Sequence, residues 1–301
     1  MKSKNKIFIA TSSFSNVNSK ILNQLHKKKI EVKFNSLKRK LEKDELINLA
    51  HDCKYIIAGT ENYNKEVIDK LKSLRFLHRL GSGTDNVDIN YLKKKKIIFS
   101  KSKITPESAV AELIVGYILS SYRNILKYDN QLKNRIWKKK MGQSLLGKTV
   151  GIIGYGKVGK YLHKLLKSFG ANIIINEKKK ISKKNSTLSK LVKNSDIISL
   201  NINLDKSKKI LNKKVLKLCK KNCLIINTSR SDGIDNEYLY FMLKRNKIFG
   251  ACMDVFDIEP YYGKFTKLEN VILTPHIGSY SKEIRFKMEA ESLTKILRTK
   301  L

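Results

Sequence analysis

The chain has 301 residues, with 63 Lys and Arg against 26 Asp and Glu, and 41% of its residues are hydrophobic. That apolar fraction excludes a wholly disordered chain, and the length allows one large domain or two ordinary ones. No apolar run approaches the ~20 residues that cross a bilayer, and the N-terminal IFIA is shorter than a signal peptide requires, so a cytoplasmic protein without membrane association is expected.

The segments KIFIA (6–10), IEVKF (30–34), YIIAG (55–59), FLHRL (76–80) and IIFS (97–100) read as strands. Between them, 37–50 and 64–73 carry helical spacing, as in Leu37, Leu41, Leu46, Ile47, Leu49 and Ala50. Strand alternating with helix predicts a parallel sheet covered by helices. A long helix is expected to start at Thr105-Pro106-Glu107, with Thr105 as N-cap and Pro106 at the first helical position. It should run to about Leu126, and it is apolar nearly all round. It is either a core helix or one partly covered by a second subunit.

A second series follows: TVGIIG (149–154), NIIIN (172–176), DIISLNI (196–202), CLIIN (223–227), FGACMDV (249–255) and NVILTP (270–275). Helical sequence separates most of these runs, which is the rhythm of a doubly wound sheet. Two α/β domains are the expectation.

The net charge of +37 invites a nucleic-acid partner, but only 9 of the 63 basic residues are Arg. Arg is the side chain that reads phosphates and bases bidentately. A solvated lysine surface, with no specific nucleic-acid partner, is the preferred reading, and its field attracts anionic substrates. Cys53, Cys219, Cys223 and Cys252 form no Cys-x-x-Cys pair and sit in or beside apolar runs. They read as small buried hydrophobes, and no metal site is expected.

Gly154-Tyr155-Gly156-Lys157-Val158-Gly159 is a G-x-G-x-x-G run directly after the strand TVGII and before the helical KYLHKLLKSFG. The first glycine permits a tight turn, the second lets a pyrophosphate approach the backbone, and the third lets helix pack on strand. The helix N-terminus offers free N–H groups to phosphates. Glu177, at the end of the next strand, can accept hydrogen bonds from ribose hydroxyls and would repel a 2′-phosphate. NAD is therefore favoured over NADP, although Lys178-Lys179-Lys180 could tolerate that phosphate.

Several further segments occur in a recognisable order: IIAGTE (56–61), LHRLGSGTDNVD (77–88), AVAEL (109–113), LLGKTVGIIGYGKVG (145–159), SDIISLN (195–201), INTSR (226–230), GACMDVFDIEP (250–260) and TPHIGS (274–279). With these the chain resembles the D-isomer-specific 2-hydroxyacid dehydrogenases, in particular the phosphoglycerate-dehydrogenase-like branch. The resemblance implies two doubly wound parallel-sheet α/β domains with a cleft between them. A flavodoxin-like substrate domain would comprise 1–98 plus 282–301, and a Rossmann NAD-binding domain 99–281. It implies a homodimer, with the helix near 105–126 in the contact.

It also implies residue roles for the oxidation of a small anionic D-2-hydroxy acid, or the reduction of its 2-keto acid, with NAD. His276 would be the proton donor, and Glu259 the carboxylate that hydrogen-bonds it. A neighbouring anion fixes an imidazole tautomer and favours its charged form. Arg230 would grip the substrate's carboxylate and carbonyl oxygen with its fork of donors. Ser231-Asp232 stands after it where glycines are usual. Gly154, Gly156, Lys157, Val158, Gly159, Glu177, Thr228, Ser229, Asp254 and Gly278 would hold the cofactor, with Asp254 near the nicotinamide carboxamide. Ser82 and Gly83 would bind the substrate carboxylate through backbone N–H groups, and Arg79 either a second anionic group or nothing, as an ordinary surface arginine. Asn201 and Asn203 replace the His and Pro of many relatives. Ala58-Gly59-Thr60 stands where 3-phosphoglycerate enzymes often present an arginine, which puts a phosphoglycerate-like substrate in doubt without excluding it, since Arg79 and nearby lysines remain. The competing reading is a dinucleotide-sensing scaffold, and the joint presence of Arg230, Glu259 and His276 favours the enzyme.

Overall fold

The computed structural model describes residues 5–12, 14, 19–27, 29–81, 83–178, 185–202 and 209–299. Two compact units divide the chain, residues 1–105 with 280–301, and residues 106–279.

The first unit contains β1 (Lys6–Ile9), α1 (Ser19–Lys27), β2 (Glu31–Phe34), α2 (Lys43–Ala50), β3 (Tyr55–Ala58), α3 (Lys65–Lys70), β4 (Phe76–Arg79), α4 (Ile89–Lys94) and β5 (Ile98–Lys101). Its sheet is wholly parallel, in the order β2-β1-β3-β4-β5. Alternate side chains feed two cores, as the two-residue period of a strand requires. Phe8, Ile56, Ala58 and Leu77 pack with Leu46, Val67 and Leu92 on one face. Ile7, Ile9, Ile57 and Phe76 pack with Leu25, Met288, Leu293 and Ile296 on the other. Burial on both faces is why these strands read as short continuous apolar runs.

Helical spacing from Leu37 does not become a helix. Lys38 is left-handed, with φ of 51°, and Asn35 ties the turn down by donating to the carbonyls of Ala10 and Arg39. Glu42 and Glu45 then form a reciprocal capping box that starts α2 at Lys43.

The crossing points also differ from the expected 98/99 and 281/282. β5 pairs with β4 along Ile98–Lys101, and the N–H groups of Lys103 and Ile104 donate to Glu291. These bonds keep residues 99–105 with the first unit. On the return, Ser281 caps the last helix and belongs with it.

The second unit holds α5 (Glu107–Tyr122), α6 (Ile125–Lys133), β6 (Thr149–Ile153), α7 (Lys157–Ser168), β7 (Asn172–Asn176), α8 (Leu188–Asn194), β8 (Ile197–Leu200), α9 (Lys213–Leu216), β9 (Leu224–Asn227), α10 (Asn236–Lys244), β10 (Gly250–Met253) and β11 (Val271–Leu273). The final helix, α11 (Lys282–Arg298), returns to the first unit. The second sheet is also parallel, in the order β11-β10-β9-β8-β6-β7. An isolated parallel bridge from Ile175 to Asn185 extends its β7 edge. The order reverses beside β6, and such switch points are where doubly wound sheets bind ligands at their carboxyl ends.

The expected long helix stops short of Leu126. Its N-cap is Pro106 rather than Thr105, without a side-chain cap bond. At its far end Asn124 turns left-handed, with φ of 52°, and breaks the helix into α5 and α6. Ala111, Ile114, Tyr117, Ile118 and Tyr122 of α5 are buried in the core with Leu162 and Leu166 of α7. By contrast α6 buries none of its residues.

Candidate active site

The glycine run sits at the carboxyl end of β6 and opens α7. Gly154 has φ of 89°, a conformation costly to any residue with a Cβ, and a Cβ there would lie 2.5 Å from the Asn201 carbonyl oxygen. At Gly159 a Cβ would meet the Gly154 carbonyl oxygen at 2.3 Å, so the helix can start only against a bare α-carbon. Gly156 is different: a Cβ there has nothing within 4 Å. Turn and helix packing thus explain Gly154 and Gly159, whereas the open space at Gly156 suits the approach of a phosphate. Gly156 is the N-cap of α7 and caps it with no side chain.

Glu177 follows β7 and reaches back to this turn, where its Oε2 accepts the N–H of Tyr155 at 2.7 Å. The Tyr155 hydroxyl lies 2.7 Å from Nδ1 of His163, which is therefore a packed, partnered histidine. Across the turn, Asn201 donates to Ser199, and its Oδ1 is buried with no partner among the described residues. A glycine cradle, an uncapped helix start and a carboxylate at the turn fit a dinucleotide. Lys178 is described, whereas Lys179, Lys180 and Asn203 lie outside the described residues.

Three neighbouring strands, β9, β10 and β11, end beside one another, with Asn227 in register with Met253, and Met253 with Leu273. After β9, Asn227 staples the INTSR turn: its Oδ1 accepts from Ser229, and its Nδ2 donates to the Arg230 carbonyl at 2.9 Å. Arg230 and its neighbours Thr228 and Ser229 are partly exposed, and the guanidinium donates to the Ser229 carbonyl at 2.8 Å. Asp232 is exposed.

After β10 comes Asp254, fully buried. It accepts from the Thr274 hydroxyl at 2.5 Å, the Ile277 N–H at 2.7 Å and the Gly278 N–H at 2.8 Å. Burial pushes its pKa up, and these hydrogen bonds oppose the shift. The carboxylate thereby shapes the TPHIGS loop, in which His276 adopts φ of 54°. Tyr117 of α5 hydrogen-bonds Thr274 from the other side. Glu259 closes the arrangement, its Oε1 accepting the Phe256 N–H at 3.1 Å and its Oε2 lying 3.0 Å from Nδ1 of His276. A carboxylate only accepts, so Nδ1 carries the proton in this bond and Nε2 is left for chemistry. The His276 side chain is 39% exposed, so the ring is reachable.

In the first unit, Arg79 ends β4. Its guanidinium donates to the Leu80 carbonyl and, through Nε, to Asn86 Oδ1 at 3.3 Å. A Cβ on Gly81 would lie 2.5 Å from that guanidinium, so the loop folds over Arg79. Arg79 therefore braces the turn that leads to Gly83. Ser82 lies outside the described residues.

Sequence reading assembles Arg230, Glu259 and His276 but misses the residues that hold them. Asn227 and Thr274 stand inside the INTSR and TPHIGS segments, where a polar residue at a strand end is the available signal. Tyr117 carries no signal, being one aromatic in an apolar helix.

Residues 115–278 match the family model of the D-isomer specific 2-hydroxyacid dehydrogenase NAD binding domain. The chain is 33% identical over 270 residues to a hydroxypyruvate reductase of Thermotoga maritima, covering 86% of this chain and 88% of that one. It is 34% identical over 278 residues to a D-3-phosphoglycerate dehydrogenase of Methanocaldococcus jannaschii, covering 87% of this chain and 53% of that one. Among solved structures, the TT0316 protein of Thermus thermophilus superposes with a TM-score of 0.87 at 26% identity, over 97% of this chain and 96% of that one. The chain belongs to the D-isomer specific 2-hydroxyacid dehydrogenases. It is an oxidoreductase that uses NAD to interconvert 2-hydroxy and 2-keto acids. Among the described residues, no helix is long and apolar enough to cross a membrane, and no group of three or more His, Cys, Asp or Glu is arranged to hold a metal ion.

Proposed function

We propose that the chain reduces a small 2-keto acid to its D-2-hydroxy acid, with His276 as proton donor, Glu259 as its partner and Arg230 as the substrate's anchor. The observation that carries this reading is the 3.0 Å contact between His276 Nδ1 and Glu259 Oε2, which leaves Nε2 on a reachable ring. The cofactor in its reduced form, NADH, supplies the hydride to the substrate's C2 when bound and leaves as NAD. Arg230 holds the carboxylate and carbonyl oxygen with parallel N–H donors and polarises the carbonyl. His276 gives its Nε2 proton to that oxygen as it becomes a hydroxyl. Glu259 keeps the ring oriented and offsets its charge. The backbone N–H groups of the loop at Ser82 and Gly83 are assigned to the substrate carboxylate, and Arg79 to bracing that loop.

Gly154, Gly156, Lys157, Val158 and Gly159 are assigned to the pyrophosphate side of the cofactor and Glu177 to its adenosine ribose, which favours NAD over NADP. Thr228, Ser229 and Gly278 are assigned to the nicotinamide side. Asp254 is assigned to positioning the His276 loop, since three loop donors occupy its carboxylate. The substrate domain is taken as the first unit and the NAD-binding domain as the second. The protein is proposed to act in the cytoplasm as a homodimer. A hydroxypyruvate reductase and a D-3-phosphoglycerate dehydrogenase among its relatives keep both an unphosphorylated and a phosphorylated substrate within the proposal.

The test is reduction of a panel of 2-keto acids, with and without phosphate, followed by NADH absorbance. His276→Ala is expected to lose about 10²–10⁴-fold in turnover while binding NADH as the wild type does. Near-normal turnover would remove His276 from the mechanism.

A further inference from the structure

Asn236 opens α10, but the capping of that helix falls to its neighbour, Asp235, which accepts the Tyr238 N–H at 3.2 Å. The Asn236 side chain spans two loops instead. Its Nδ2 lies 2.8 Å from the Ser231 hydroxyl oxygen, 3.4 Å from the Ser231 carbonyl oxygen and 3.1 Å from Oδ2 of Asp257. A carboxylate only accepts, so the half of the amide that faces Asp257 is its NH2, and the two hydrogens serve the two loops. The other half, Oδ1, is buried with no hydrogen-bond partner among the described residues. A buried, unbonded amide oxygen is costly, so this side chain is held in place by what its donors do.

The two loops are those that carry Arg230 and Glu259. Ser231 directly follows Arg230, in a turn that Asn227 holds from its other side through the Arg230 carbonyl at 2.9 Å. Ser231 stands where glycines are usual, and a glycine has no hydroxyl to take the Asn236 bond. Asp257 lies two residues before Glu259. Their turn is anchored at Phe256, whose N–H donates to Glu259 Oε1 at 3.1 Å and whose ring stacks on Tyr261 with centroids 4.2 Å apart. Past Phe256 the turn leaves the core: Asp257 is exposed, and Ile258 is 77% exposed. Asn236 tethers this exposed part to the Arg230 turn.

We propose that Asn236 is a positioning residue: through Ser231 and Asp257 it fixes the Arg230 turn and the Glu259 turn against each other, and so sets where the substrate's anchor stands relative to the proton donor. The inference rests on the reading that Arg230, Glu259 and His276 carry the chemistry. Rates depend steeply on such spacing, and a misplacement of about 1 Å can cost on the order of 100-fold.

The experiment is steady-state reduction of hydroxypyruvate and glyoxylate with NADH by wild type, Asn236→Asp, Asp257→Ala, Asp257→Asn, the double variant Asn236→Asp with Asp257→Asn, and His276→Ala. Asn236→Asp keeps the shape, and a carboxylate suits the first turn of a helix, so the melting temperature is expected to hold. It sets one acceptor-only group against another, which turns the tether into a repulsion. Its kcat/KM is expected to fall at least about tenfold, chiefly through the keto-acid KM, with NADH affinity within about twofold of wild type. Asp257→Ala is expected to reproduce the loss, and Asp257→Asn, which keeps an acceptor, to escape most of it. The double variant exchanges donor and acceptor and is expected to regain most of the lost kcat/KM. A residue that merely stabilised the fold would lower melting temperature and NADH affinity together, and the exchange would not rescue it. Wild-type kcat/KM in Asn236→Asp, or no recovery in the double variant, overturns the proposal while His276→Ala stays impaired. Should Asn236→Asp not fold by circular dichroism, Asp257→Ala against Asp257→Asn decides, and equal kcat/KM in the two overturns it. A wild type that reduces neither acid, or a His276→Ala enzyme that reduces them normally, defeats the parent reading and this one with it.

Discussion

His78 shows how one buried side chain sets a pH limit on the first unit. It lies on β4, fully buried, with Nδ1 2.7 Å from the Ser100 hydroxyl. Burial lowers its pKa from 6.5 to about 4, helped by the nearby Lys295. Above about pH 6.5 the imidazole is neutral both folded and unfolded. As pH falls below that, the unfolded chain takes up a proton that the folded site refuses, so stability declines and levels off near the folded pKa of about 4. The full loss is of the order of 3 kcal/mol. Urea unfolding at pH 7.5 and pH 5 is expected to show about 2 kcal/mol of it, the part that lies between 6.5 and 5, and His78→Gln, which cannot titrate, should lose most of that difference. Equal pH dependence in the two proteins would place the acid sensitivity elsewhere.

At the scale of an element, the glycine turn before α7 separates structural from functional need within one motif. Gly154→Ala forces a Cβ to 2.5 Å from the Asn201 carbonyl oxygen in a left-handed backbone, and is expected to lower the melting temperature by several degrees. Gly156→Val has open space to enter and should melt near the wild type. It should nevertheless bind NADH at least about tenfold more weakly, because its side chain stands where the phosphates approach. Fluorescence titration with a thermal melt tests both variants. Normal NADH affinity in Gly156→Val would show that the open face is not the phosphate site.

For the whole molecule, the proposed dimer rests on other residues than the sequence suggested. The apolar circumference of α5 is largely covered within its own unit, by α7 and the second sheet. Beyond the Asn124 break, Ile125, Leu126, Leu132, Ile136, Trp137, Met141 and Leu146 are exposed, with Trp137 80% exposed. A row of this kind is more than an isolated fold leaves in water. Trp137 is the single tryptophan, so its fluorescence reports directly on this segment. Sedimentation equilibrium at micromolar concentration is expected to give a dimer, with blue-shifted Trp137 emission that moves red on dilution. A monomer, or red emission at all concentrations, would refute the dimer through this segment.

Local patterns determined much of this protein. Among the described residues, each of the eleven strands overlaps a run readable from the sequence, and only β5 runs one residue past it; central strands such as β3, β8 and β9 are buried on both faces and so read as continuous apolar runs. The G-x-G-x-x-G turn was equally legible from its place between strand and helix, although the Asn201 carbonyl that crowds Gly154 comes from the end of a later strand. So were Arg230, Glu259 and His276 as candidates, through short motifs at strand ends. The tertiary structure decided what depends on distant partners. The Asn124 break was invisible in a helix that still looked apolar. The domain crossing moved past β5 because pairing with β4 and the hydrogen bonds to Glu291 come from elsewhere in the chain. The Asp254 carboxylate turned to the loop after β11, some twenty residues on, because parallel register places those strand ends side by side. Glu61, in the IIAGTE segment, carries no burial signal in the sequence, and only folding showed it buried. Burial and hydrogen-bond partners are properties of the packed chain, and no local pattern in the sequence carries them.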